Sequence, residues 1–286
     1  MSYVKPDQLM DSIVQAGVAK ANLSIGQLLA RGTLAGAILA CATTLAFAAT
    51  AQTRLGIVGA IIFPVGFVMI VLLGLELVTG TFALIPLAVL EGKTTVRLML
   101  KNFVFVIVGH LIGCAIYAAL YLATITRMGT DHTDPLVSVI INAAEAKTIG
   151  YEALDASGLA LVFIKAILCN WMVTLGAILA LTSTSTGGKI LAMWLPVTSF
   201  FALGFEHAVV NMFVIPAGMV LGANVTMLDW WGWNQLPVLL GNFIGGVTLT
   251  AGLLYFSHRT RIHRVAKTDD FEIIVAPLDE LEPVRR

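Results

Sequence analysis

The 286-residue chain is 58% hydrophobic and only 12% charged, with a mean hydropathy of +0.91. Soluble domains carry about 25% charged residues, so this composition excludes an ordinary soluble globule and implies an integral membrane protein. The formal net charge is zero, and nothing in the sequence points to nucleic acid.

The chain opens with a polar stretch from Met1 to Asp11 and no basic-then-apolar leader with a cleavage site. Segment 4–20 places Val4, Leu9, Ile13, Val14 and Val18 at near-helical spacing. That pattern predicts an amphipathic helix within an N-terminal region 1–30, lying on the inner membrane surface or packed on the rest of the protein.

Six apolar windows follow: Gly32–Thr53, Leu55–Leu90 around Glu76, Asn102–Thr126 with His110, Ala156–Gly188 with Lys165, Ile190–Leu228 with Glu206 and His207, and Trp230–Ser257. Each is long enough to cross a hydrocarbon core of roughly 30 Å at about 1.5 Å per residue. Residues 31–260 therefore read as a six-span channel domain, and residues 261–286 as a polar, acidic cytosolic tail. With the N-terminus inside, thirteen Lys and Arg residues fall on the inner side and three, Arg54, Arg127 and Lys147, on the outer side. That bias predicts two cytoplasmic termini.

Cys41, Cys114 and Cys169 lie in apolar windows without a CxxC spacing or neighbouring histidines, which argues against a disulfide framework and against a metal site. The glycines near Gly241 and Gly245 follow no strand, so they read as helix-packing residues, not as a nucleotide loop. No cofactor is expected.

The two halves repeat each other. Pro64-Val65 matches Pro196-Val197, Glu76 matches Glu206, and Gly109-His110-Leu111-Ile112-Gly113 matches Gly241-Asn242-Phe243-Ile244-Gly245, all at shifts of 130–132. Ala37-Ile38-Leu39 is paired with Ala166-Ile167-Leu168 at a shift of 129. Three spans per repeat is an odd number, so the second copy is inverted in the membrane, a recurrent transporter design with the path between the halves. Windows 55–90 and 190–228 exceed what a straight helix needs, and prolines flank their polar centres. They read as pairs of half-helices joined by non-helical backbone, which is tolerated at membrane depth where it lines a polar path. The second and fifth spans are thus expected to be broken.

Ionisable groups inside an apolar span are candidates for function. His207 can gain and lose a proton near neutral pH; the alternative is a neutral core histidine. Its neighbour Glu206 points about 100° away on a helix and reads as structural, as does Glu76, with Lys165, Asn170, Asn211 and Asn242 as candidate partners. Thr79 and Asn170 could hydrogen-bond an anion or join helices.

At Phe63-Pro64-Val65-Gly66-Phe67, Glu76-Leu77-Val78-Thr79-Gly80, Leu168-Cys169-Asn170-Trp171-Met172-Val173, Gly204-Phe205-Glu206-His207 through Asn211-Met212-Phe213, and Gly241-Asn242, the chain closely resembles the formate/nitrite transporter family. The resemblance covers roughly residues 5 to 260. It implies an all-α, aquaporin-like fold of six spans, a homopentamer with one pore per protomer, and the bacterial or archaeal inner membrane. It further implies a central histidine at His207 and polar companions at Thr79, Asn170 and Asn242. Apolar slits are implied at Phe63 with Phe200 on the outer side and at Phe67, Leu77, Val78 and Val173 on the inner side. A vestibule lysine is assigned to Lys147.

Together these readings predict transport of a small weak-acid anion, formate before nitrite, taking up a proton at or near His207. Hydrosulfide, acetate and lactate are further candidates. A neutral-solute channel of the aquaporin kind would be expected to carry two Asn-Pro-Ala turns, and a membrane hydrolase a nucleophile elbow; the sequence has neither.

Overall fold

The computed structural model describes residues 3–258. Over those residues the chain is helical, and the only strand-like pairing is a single Tyr3–Ser183 bridge. The tail 261–286, with the charges Arg259 to Arg286 used in assigning orientation, lies outside the described residues.

The first half runs α1 (Pro6–Ala21), α2 (Ile25–Thr53), α3 (Gly56–Ile62), α4 (Pro64–Leu72), α5 (Val78–Leu90) and α6 (Val96–Ile125). The second half runs α7 (Pro135–Ala146), a short α8 (Ile149–Glu152), α9 (Asp155–Leu179), α10 (Thr186–Ala202), α11 (Ala208–Leu221) and a last span Met227–His258 interrupted by two π-helical stretches. Local chemistry sets the ends. Ser24 and Gln27 form a capping box at the start of α2, and the Thr95 side chain accepts from Leu98 N–H at the start of α6. Because α2 begins at Ile25, the expected boundary at residue 30 falls inside the first span.

Both central breaks are where they were expected, but proline does not make them. Pro86 and Pro216 sit inside α5 and α11. The chain leaves the helix instead at Gly74 and Gly204, each with φ +63°, a conformation that glycine adopts without steric cost. Non-helical residues 75–77 and 205–207 follow, and both stretches end in a new half-helix.

Each repeat also carries a leading surface helix that hydropathy did not show for the second copy. α1 packs on α5, and α7 packs on α11. Ile13 of α1 is fully buried in a cluster with Leu84, Leu87 and Ile178, so of the two readings for this helix the packed one is observed. The repeat register needs one correction. Gly109 and Gly113 of α6 abut α2 near Gly32 and Thr33, whereas Gly241 and Gly245 abut α9 near Ala166 and Ile167. Spans one and four therefore correspond at a shift of 134, not 129; the Ala-Ile-Leu match was a coincidence of common apolar residues.

The outer faces keep large apolar side chains exposed, among them Ile112, Ile116 and Leu120 on α6, as a surface facing lipid or another protomer requires. A Cβ on Gly113 would meet the Thr33 carbonyl oxygen, whereas at Gly26 it would meet open space. Gly113→Val is expected to lower the thermal transition in detergent by roughly 5–10 °C through overpacking. Gly26→Ala should leave it unchanged.

Candidate functional site

Because α5 and α11 both start beside the breaks, their first turns meet in the middle of the protein. The contact is Thr79 Oγ1 to His207 Nε2 at 3.0 Å, with the two residues 0% and 2% exposed. His207 is also the N-cap of α11, its Nδ1 accepting the Val210 N–H at 3.2 Å. A backbone amide can only donate, so Nδ1 carries no hydrogen and the ring is the neutral Nε2–H tautomer. That Nε2–H donates to the Thr79 hydroxyl, whose own hydrogen remains to be directed elsewhere.

Asparagines from neighbouring spans hold this junction. Asn242 Oδ1 accepts from Ala208 N–H at 2.9 Å, while its Nδ2 donates to the carbonyls of Ala166 and Glu206 at 2.8 and 2.9 Å. All its polar atoms are engaged with backbone, so Asn242 braces the second break and has no donor left for a solute. Asn170 Nδ2 donates to the carbonyls of Thr79 at 3.1 Å and Asn242 at 2.6 Å. Two carbonyl partners fix the amide orientation, and Asn170 Oδ1 is left buried without a partner among the described residues. The atom that Asn170 offers is therefore an acceptor, the opposite of the donor role considered from sequence.

Each break carries an ion pair between a buried glutamate and a partly buried lysine. Glu76 Oε1 receives Lys20 Nζ at 2.7 Å, and Asn102 Nδ2 donates to Glu76 Oε2 at 3.4 Å and to the Lys20 carbonyl at 3.0 Å. Glu206 Oε2 receives Lys147 Nζ at 2.8 Å, while Asn211 donates to it at 2.8 Å and Tyr151 OH to Oε1 at 2.8 Å. Asn234 Nδ2 donates to the Lys147 carbonyl at 2.8 Å and to Glu206 Oε2 at 3.5 Å. Asn102 and Asn234 stand 132 residues apart, in the same register as His110 and Asn242. Lys147 is thus half of a structural ion pair and not a free vestibule cation. Lys165 makes no carboxylate contact: its Nζ lies 3.4 Å from Tyr151 OH, and it has no ion pair among the described residues.

Apolar side chains surround the junction. Phe200 stacks on the His207 ring with centroids 5.5 Å apart and meets Phe63 edge-on at 5.6 Å; Phe201 stacks on Phe63 at 4.2 Å. Phe67, Leu77, Val78 and Val173 are buried in the same apolar cluster as Phe63 and Phe200. Phe67 and Leu77 line a cavity of about 210 Å³ together with Lys20 and Lys189. Among the described residues no three His, Cys, Asp or Glu side chains come together as a metal site.

The family model for formate/nitrite transporters matches residues 7–256. The chain belongs to the formate/nitrite transporter family. A probable formate transporter of Methanothermobacter thermautotrophicus is 34% identical over 272 residues, covering 90% of this chain and 98% of that protein. Among solved structures, an FNT family ion channel superposes with a TM-score of 0.72 at 25% identity, covering 87% of this chain and 98% of that one. A pentameric formate channel with formate bound superposes at 0.67 and 22% identity, covering 82% and 96%. The family is one of transporters, not enzymes, and its fold is the all-α, inverted-repeat architecture described above.

Sequence reading named Thr79, Asn170 and His207, which hydrogen bonds join in the structure. It missed Tyr151, Asn102, Asn234, Lys20 and α7. The Asn102–Asn234 match at a shift of 132 was the available signal.

Removing one partner of a buried ion pair leaves the other charge uncompensated, at about 3–5 kcal/mol. Lys147→Met is expected to destabilise the folded protein by about that much, and Lys147→Met with Glu206→Gln to recover most of it. Thermal unfolding of the two singles and the double in detergent measures the coupling.

Proposed function

We propose that this protein carries a small monovalent weak-acid anion, formate first and nitrite next, across the cytoplasmic membrane of its cell as the neutral acid, with protonation occurring beside His207. The observation that carries the reading is the pairing of opposite polar offers at one buried junction. The Thr79 hydroxyl, which accepts the His207 Nε2–H, has its own hydrogen left to donate, and Asn170 Oδ1 is a buried acceptor without a partner among the described residues. A carboxylate or nitrite oxygen fits that donor, and the O–H of the protonated acid fits the acceptor. A permanently charged anion has nothing to give Asn170.

Energetics favour the neutral form. A bare anion crossing either apolar layer gives up hydration at a cost of several kcal/mol or more, which the protonated acid largely avoids. The start of each half-helix faces this junction, and the positive ends of the two helix dipoles favour an anion arriving there. The proton comes from water, not from the ring itself. A neutral imidazole that gave up Nε2–H would become an imidazolate, because its Nδ1 already accepts the Val210 amide. His207 therefore acts through Thr79, whose hydroxyl hydrogen it leaves free for the anion while the acid forms.

Anion capture on the α7 side falls to Lys165, because Lys147 is neutralised by Glu206. On the α1 side it falls to Lys189 in the cavity, which has no ion pair among the described residues. The excess of Lys and Arg supports a cytoplasmic location for the α1 face. The channel body starts with α2 at Ile25, not at residue 31, and α1 packs against it on α5. The exposed apolar faces and the pentameric state of the superposed formate channel support assembly as a homopentamer. Hydrosulfide, acetate and lactate are secondary substrates by the same route, sorted by size at the apolar layers.

In proteoliposomes, formate addition is expected to acidify the lumen and chloride addition to leave it unchanged, read with an enclosed pH dye. His207→Asn should reduce formate-driven acidification at least tenfold; full flux in that variant would remove His207 from the mechanism. Phe200→Ala should admit larger solutes such as lactate severalfold faster relative to formate. Unchanged selectivity would show that the Phe63–Phe200 contact is not the barrier.

A further inference from the structure

The two repeats use different side chains for the same task. In the second, Asn242 on the last span accepts the first amide of α11, Ala208 N–H, at 2.9 Å. In the first, His110 on α6 accepts the first amide of α5, Val78 N–H, on Nε2 at 3.1 Å, and its Nδ1 donates to the Gly32 carbonyl of α2 at 2.8 Å. An amide can only donate and a carbonyl only accept, so His110 is fixed as the neutral Nδ1–H tautomer with both nitrogens engaged. It is fully buried, and in this state it has no lone pair or hydrogen to pass on. Its chemistry is therefore distinct from that of His207.

What His110 holds matters more than what it is. The helix N-cap Leu77 has no side-chain hydrogen bond of its own, unlike His207 at the matching position. The first turn of α5 is consequently held from outside, by His110 at its first amide, Val78 N–H, and by Asn170 at the Thr79 carbonyl. That turn carries Leu77 and Val78 of the apolar layer and Thr79, the partner of His207.

We infer that His110 is a positioning residue: through the Val78 amide it sets the placement of Leu77, Val78 and Thr79 and hence the size limit at the α1-face constriction. This rests on the reading that the transport path passes these residues. A histidine that merely filled core volume would be replaceable by an apolar residue of similar size, whereas one that holds the amide is replaceable by an acceptor. Glutamine places its Oε1 near the position of Nε2; leucine fills space and accepts nothing.

The test uses the full-length protein with His110→Gln and His110→Leu in liposomes, comparing formate and lactate uptake and the hydrogen–deuterium exchange of the segment containing residues 77–81. The Leu variant is expected to lose at least fivefold in the formate-to-lactate ratio and to exchange at least tenfold faster in that segment. The Gln variant should stay within twofold of the parent in both. A Leu variant with the parent's ratio and protection overturns the inference, as does a folded Gln variant that has lost either one. If the Leu variant does not fold, the Gln variant decides alone by the same criteria. Absence of formate uptake by the parent protein would instead defeat the transport reading, and the exchange data would still judge the role of His110 at Val78.

Discussion

A polypeptide that stops being helical at membrane depth leaves backbone amides with no water to satisfy them, and the rest of this structure follows from how those amides are met. Both breaks expose the first amide of a half-helix, Val78 and Ala208, and both are met by a side chain one span away, His110 and Asn242. These braces in turn tie α5 to α2 through Gly32 and α11 to α9 through Ala166. The close glycine contacts between spans bring the bracing residues within reach. Once the half-helix starts are fixed, Thr79 and His207 have little choice but to meet.

Charge is handled with the same economy. Each break has a buried glutamate, a lysine delivered by a surface helix and an asparagine from the third span of its repeat. A buried pair of this kind is weak evidence for net stability. Its role is to specify one arrangement of an irregular backbone, and it leaves the junction itself free of net charge. Against that symmetric scaffold the functional groups are asymmetric. His207 faces Leu77 across the repeat, and Asn170 faces no polar counterpart on α2. The Thr79–His207 contact and the Asn170 bond to the Thr79 carbonyl are thus arrangements that the two-fold symmetry alone would not produce.

Much of this was legible in the sequence, because membrane burial forces strong patterns. Six apolar windows, two glutamates at a shift of 130 and a Gly-His against a Gly-Asn at 132 disclosed the inverted repeat and its broken spans. Prolines located the breaks only approximately, since the geometry rests on Gly74 and Gly204, and a positive φ has no signature beyond the residue type. The register of the first and fourth spans was misread, for Ala, Ile and Leu recur too often in apolar helices to anchor an alignment. Polar partners were the least legible part. Which lysine meets Glu206 depends on where α7 ends, and whether Asn170 presents its amide or its oxygen depends on two carbonyls brought together only by folding.

The central claim is that the solute crosses the apolar layers uncharged. The direct test is the charge moved per formate, with labelled formate uptake, lumenal pH and membrane current followed together in proteoliposomes under an imposed potential. The account predicts one proton per formate and no formate-dependent current at any potential. A current that scales with formate flux, with no matching proton movement, would contradict it.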